Sequence, residues 1–491
     1  MSQNTASGID FESDRPVVFR NATVLTIDSS LGVIENGDVL VDGGKIAAVG
    51  KQLEVPAGAQ EIDATGGILM PGMVDTHRHM WQTTLRGFGA DWTLTNYFVF
   101  YYLNWGKAFR PEDIYAGNLL SAVEALDAGV TTSVDWSHGL QTIAHADAAV
   151  DALESVDGRF VLAYGNLLGA PWEWTKAPEF KDFIRRRIDG RGDKLRMQLA
   201  FDVTSDTDFP EKAAFEVARE LNLPVTTHAG VRGVTKDSAI RWMYDYGFMT
   251  PSNIYVHAAT LSEDSYQRIA ATGGSASVSS ESEMNAGQGY PPTWLLRRHN
   301  IPISLSMDTS VWWSADLFSA MRATLNADRA REFMEATNQN DNLTSHPLRA
   351  EEVVGWATLG GAKALGMDSL IGSITPGKRA DLVLIKNDQS PAMFPLLHPY
   401  GHVVFQAGRG DVHTVMVDGK VLKYNHRLLG DGLARARTAI EKSVEYLYGQ
   451  IGPQVWHDTM NPEKVATKFV DNPYVYTHNK EEAASGQSEG N

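Results

Sequence analysis

The chain has 491 residues, too many for one small domain and enough to bury a large core. It carries 60 acidic against 43 basic residues, a formal charge of −17, which argues against nucleic acid or an anionic membrane surface as its partner. It has no cysteine, so disulfides, thiolate-held zinc, iron–sulfur clusters and cysteine nucleophiles are all excluded.

Taken in order, residues 1–15 are polar and acidic, read as a disordered N-terminus and show no signal-peptide pattern. No apolar run approaches the roughly 18–20 residues that span a bilayer. A cytoplasmic location is expected, since a cysteine-free chain suits a reducing compartment.

Residues 16–70 hold short β-rich pieces, such as Ala22-Thr-Val-Leu-Thr-Ile and Asp38-Val-Leu-Val, punctuated by glycine and Asp-Gly turns. A second β-rich block spans 366–430, with Ala380-Asp-Leu-Val-Leu-Ile, Val403-Val-Phe-Gln and Val412-His-Thr-Val-Met-Val as its strands. Neither block closes a good core alone. The two are expected to pair into one small β-sandwich built from both chain ends, with the middle inserted between them.

The stretch Ile68-Leu-Met-Pro-Gly-Met-Val-Asp-Thr-His77-Arg-His79 reads as a buried strand entered through a tight turn and ending on two histidines. Side chains two apart on a strand share a face, so His77 and His79 can hold one cation, and imidazole suits zinc and iron. From 71 to 365, strand-like and helix-like segments alternate. With the strand before His77 they make eight units, the count of a (β/α)8 TIM barrel, whose chemistry sits at the C-terminal strand ends. Strand five ends at His228, strand six at His257 and strand eight at Asp308, which brings three more polar groups to the rim that carries His77 and His79.

Aromatic residues crowd the loops after these strand ends. Trp81, Trp92 and a Tyr97–Trp105 run follow strand one, His138 follows strand two and Trp312 follows Asp308. Most such residues pack. Trp81, Trp92, His138 and Trp312 are the candidates for contact with a flat aromatic substrate, while His138 and His145 are not expected to be catalytic. Residues 431–476 read as a helical extension opened by an amphipathic helix from Gly432, and 477–491 as a disordered tail.

The motifs Pro71-Gly-Met-Val-Asp-Thr-His77-Arg-His79, Gly129-Val-Thr-Thr, Val256-His257, Asp308 and Gly372-Ser-Ile-Thr-Pro-Gly-Lys-Arg-Ala-Asp-Leu together resemble the amidohydrolase superfamily, in its cytosine deaminase/chlorohydrolase-like branch of metal-dependent hydrolases. The resemblance implies that His77, His79, His228 and Asp308 ligate one divalent metal, zinc in first place with iron or manganese as alternatives. It implies that Asp308 takes a proton from the attacking water and that His257 touches water or substrate. Two-metal members use a strand-four lysine, and Arg196-Met-Gln-Leu-Ala-Phe-Asp202 has none. A homodimer or larger homo-oligomer is also implied.

Two departures matter. The branch carries a proton-shuttling glutamate three residues after the strand-five histidine, where this chain has Val231. On strand seven the chain reads Ser280-Glu281-Ser282-Glu283-Met284, with two carboxylates that an extended chain would point at the barrel mouth together. Glu281 or Glu283 is therefore a candidate to bind substrate or supply the missing acid. The leading expectation is a mononuclear amidohydrolase cutting an amide or related C–N or C–X bond of an aromatic small molecule. Metal-assisted cyclocondensation to a heterocycle, and deamination through Glu281 or Glu283, are the alternatives.

Overall fold

The computed structural model describes residues 15–204 and 208–464. The disordered ends expected at 1–15 and 477–491 fall outside the described residues, Arg15 excepted, as do positions 465–476 of the helical extension. No helix among the described residues is long and apolar enough to cross a membrane.

Eight parallel strands form the central sheet in chain order: β1 Met73–Arg78, β2 Val130–Ser137, β3 Arg159–Tyr164, β4 Leu195–Ala200, β5 Val225–Ala229, β6 Ile254–His257, β7 Ser275–Val278 and β8 Ile303–Leu305. Their near-continuous burial is what a parallel sheet covered on both faces requires. The sheet closes where the ends of β1 and β8 meet. His79 N–H donates to the Asp308 carbonyl at 2.8 Å and Asp308 N–H to the His77 carbonyl at 3.1 Å. The seam that makes this a barrel therefore runs through three of the expected ligands.

The chain ends build one nine-stranded, mostly antiparallel sheet. Ile68–Pro71 pairs with Leu382–Ile385, joining the N-terminal strands to the C-terminal ones. Period-two alternation gives this sheet two buried faces. Leu69, Leu382 and Leu384 join Phe19, Val24 and Met416 in a core of the sheet's own, while Ile68, Met70, Val383 and Ile385 pack into the barrel core.

Three segments differ from the sequence reading. The stretch before His77 is two strands, broken at Gly72, with Ile68–Pro71 in the end sheet and β1 in the barrel. Gly72 is required there because a Cβ would sit 2.0 Å from Thr131 Oγ1. Val403-Val-Phe-Gln lies mostly in a helix, Pro399–Phe405, not a strand. Pro399 at the first turn and the His398 side chain capping Gly401 N–H start that helix, and burial of Val403 and Val404 outweighs their β-branched preference. Ser280–Ala286 is also helical.

Barrel and end sheet are locked by Arg159, at the start of β3, whose guanidinium pairs bidentately with Asp381 at 3.0 and 3.1 Å, both groups buried. Asp381→Ala leaves a buried cation without its partner and is expected to cost about 3–5 kcal/mol in chemical denaturation. A loss below about 1 kcal/mol, the scale of an exposed pair, would contradict that lock.

Candidate metal centre and pocket

His77, His79, His228 and Asp308 are brought together at the C-terminal mouth of the barrel. Asp308 Oδ1 lies 3.2 Å from His77 Nε2 and 3.3 Å from His79 Nε2, and the His77 ring centroid is 4.5 Å from His79 and 5.0 Å from His228. Ligand atoms of His77, His79 and His228 all lie within 4.8 Å of one another, as do those of His77, His257 and Asp308. His79 Nδ1 donates to the Trp136 carbonyl at 2.9 Å, and His228 Nδ1 donates to Asp202, 3.1 Å from both carboxylate oxygens. Each ring thus keeps a proton on Nδ1, which leaves Nε2 as the atom to turn toward a metal, and Asp202 outweighs burial to raise the pKa of His228. His77 Nδ1 is buried with no partner. Burial, with its histidine neighbours, pushes His77 well below its ordinary pKa, and burial takes His79 down to about 4, so both stay neutral bases. Burial opposes the charge on Asp308, but a hydrogen bond with His77 leads the groups that hold the carboxyl well below its usual range. Three imidazoles and one ionised carboxylate fit a divalent metal.

Behind this set stands a carboxylate that the sequence reading passed over. Asp202, just past β4, also accepts the His228 backbone N–H at 2.9 Å. It ends a barrel strand as His228 and Asp308 do, so the same rule could have found it. Asp202→Asn removes the charge that fixes the His228 ring and is expected to weaken metal affinity by about 10–100-fold in competitive chelator titration. Unchanged affinity would exclude the role.

His257 stands beside the set and is held from behind by Glu283. The His257 Nδ1–H donates to Glu283 Oε1 at 3.3 Å, and the same oxygen accepts Ser279 N–H at 2.8 Å. Glu283 is fully buried, and that burial raises its pKa. Glu281 is different, because the segment is helical and residues two apart on a helix diverge. Its carboxylate accepts Ser314 Oγ–H at 2.7 Å and does not line the pocket. Ser282, between them, donates its one hydroxyl proton to Asp308, with Gln288 Oε1 3.2 Å from the same oxygen. His257 and Asp308 both have left-handed backbones, with φ of 70° and 64°. His and Asp tolerate this region better than most residues, and it turns both side chains into the site.

A pocket opens above the ligands. Its walls include Tyr97, Phe98 and Tyr102 from the aromatic run, with Trp312, Val231 and His138. Neither lysine nor arginine is among its lining residues. Trp81 and Trp92, expected at the substrate, do not line it. Trp81 is fully buried behind His138, and Trp92 Nε1–H donates to the Thr459 carbonyl at 2.8 Å, pinning the C-terminal helix Pro453–Met460. The helical turn of 97–105 explains the sorting: Tyr97, Phe98 and Tyr102 face the pocket while Tyr101 and Trp105 are buried in the core. His145 is structural, bonded to Thr142 and the Phe109 carbonyl.

The profile of the amidohydrolase family matches residues 68–422. The chain is 28% identical over 448 residues to the 5'-deoxyadenosine deaminase of Methanosarcina acetivorans, covering 87% of this chain and 98% of that protein. It is 30% identical over 425 residues to the 5-methylthioadenosine/S-adenosylhomocysteine deaminase of Symbiobacterium thermophilum, covering 83% and 93%. Among solved structures, a zinc-bound adenosine deaminase from Xanthomonas campestris superposes with a TM-score of 0.72 at 23% identity, covering 87% and 98%. An atrazine chlorohydrolase mutant from Arthrobacter aurescens, complexed with zinc and atraton, gives 0.76 at 20%, covering 87% and 100%, and these two likenesses bear on the fold.

Proposed function

The chain belongs to the amidohydrolase family and is a metal-dependent hydrolase of carbon–nitrogen bonds other than peptide bonds; on that premise we propose that it removes an amine from a flat, uncharged heteroaromatic small molecule. The observation that carries this reading is the convergence of His77, His79, His228 and Asp308 beneath an aromatic-walled pocket, with the Glu283-backed His257 beside them. These four residues would hold one divalent metal, zinc in first place given the nitrogen-rich donor set and the zinc in two structural neighbours. When bound, such a metal supplies Lewis-acid activation of water near neutral pH.

The rest falls to the chain's own groups. Asp308, ionised and close to two of the imidazoles, accepts the proton the water gives up at its carboxylate and returns it to the leaving nitrogen as the carbon–nitrogen bond breaks. His257 keeps its Nδ1–H on Glu283, which leaves the Nε2 lone pair facing the site to accept a hydrogen bond from the attacking water and orient it. Tyr97, Phe98 and Trp312 offer ring faces to a planar substrate. With neither lysine nor arginine among the described residues that line it, the pocket favours a substrate lacking phosphate or carboxylate. The adenosine-type substrates named for the relatives have such a ring. Val231 favours a second reading, hydrolysis of an aryl amide, because a good leaving amine needs less help from an acid at that position.

Incubating zinc-loaded enzyme with a panel of 5'-deoxyadenosine-type nucleosides, other amino-heterocycles and aryl amides separates these readings. Ammonia with a keto-heterocycle supports the first, and an aryl amine with a carboxylate the second. Loss of water from an amide would point instead to cyclocondensation. Failure of metal-replete enzyme to release amine from any member would overturn both hydrolytic readings.

A further inference from the structure

His138 is a polar side chain of the pocket that the reaction above leaves without a task. It lines the cavity, and its ring lies 4.2 Å from His79 and 5.0 Å from Tyr102, centroid to centroid. On its far side Trp81 Nε1–H points at His138 Nδ1 from 3.0 Å. Indole N–H is a donor only, so His138 Nδ1 must be the acceptor. An imidazole whose Nδ1 accepts carries its one ring proton on Nε2. The tautomer of His138 is therefore written by Trp81, and it is opposite to that of His79 and His228.

Trp81 is held for this purpose. It is fully buried, edge-on to Tyr101 at 5.2 Å and Phe109 at 4.8 Å. The approach of the indole depends on Gly139, where a Cβ would come within 2.9 Å of the ring. Tyr97 OH, itself bonded by Gln82 at 2.5 Å, lies 3.5 Å from His138 Nε2, too far for a strong bond. The Nε2–H thus remains available to a ligand.

We propose that His138 is a specificity-determining residue, presenting a fixed Nε2–H beside the metal ligands to an acceptor atom of the substrate, and that Trp81 is the positioning residue that fixes it. The acceptor is an unprotonated ring nitrogen or a carbonyl oxygen close to the reacting carbon, so the substrate class narrows to heteroaromatic rings bearing such an atom. This rests on the heteroaromatic reading above, but the tautomer does not.

Two measurements keep them apart. In zinc-loaded protein with ¹⁵N-labelled histidine, the His138 ring is expected to show a protonated Nε2 and a bare Nδ1, while Trp81→Phe, which keeps an aromatic ring but loses the donor, is expected to show both tautomers. Steady-state kinetics on an amino-heterocycle and its deaza counterpart, in which one ring nitrogen is replaced by carbon, give the second readout. Trp81→Phe is expected to raise KM by about 3–10-fold for the nitrogen-bearing ring and to leave the deaza ring unchanged, the scale of one hydrogen bond. A protonated Nδ1 in the unmodified protein, or equal KM changes for both rings, would overturn the inference. The Nε2–H tautomer without turnover of any amino-heterocycle would sink the reaction reading while leaving the role of Trp81 in place.

Discussion

Asp308→Asn is expected to lower kcat by at least about 10³-fold with any substrate the enzyme accepts, while the protein stays folded. The carboxylate acts as a ligand and as the acceptor of the water's proton, and loss of a general base alone is worth roughly 10²–10⁴-fold. Asparagine is the informative choice because residue 308 sits at φ 64°, a region that Asn enters as readily as Asp and that Ala resists. The amide also keeps an oxygen near Ser282 and the two imidazoles, so lost activity reads as lost charge and basicity rather than collapse. Circular dichroism and the unfolding midpoint check the fold. A variant within about tenfold of the parent in kcat would remove Asp308 from the chemistry.

Glu283→Gln is expected to lower kcat by about 10–100-fold, the usual cost of losing the partner that orients a catalytic imidazole, and to change the pH–rate profile. Gln retains the volume and an oxygen for Ser279 N–H, so the change is confined to the charge behind His257. Glu281→Gln is the control and should leave kcat within about twofold, since that carboxylate bonds Ser314 outside the pocket. Equal, large losses in both variants would contradict the division of labour between the two glutamates. Full activity in Glu283→Gln would end its claim to support His257.

The barrel was legible because short strand-like segments alternate with helical ones and several end on polar residues, and the closing bridge lies where β1 and β8 end so. The ligand cluster was legible for the same reason, since a residue at a barrel strand's C-terminal end has one place to go. Asp202 obeys that rule as well, two residues past the end of β4. Local context misled elsewhere. Two apolar runs meeting at Pro71-Gly72 look like one strand until the crowding against Thr131 is known. Val403 and Val404 have strand preferences that packing overrides. The two glutamates near strand seven share a face only if the chain is extended, and it is helical. Aromatic residues carry no mark in sequence that separates wall from core. The sequence pattern puts Trp81 and Trp92 at the substrate, yet one hydrogen-bonds His138 from behind and the other bonds the C-terminal helix at Thr459.

The account stands on one cation shared by side chains from β1, β5 and the end of β8. Anomalous X-ray diffraction at the zinc edge, on crystals of zinc-replete enzyme, tests it most directly. A single peak within coordination distance of His77, His79 and His228 nitrogens and an Asp308 oxygen is the predicted result. A peak elsewhere, a second metal bridging the first, or no peak in protein that still turns over substrate would contradict it.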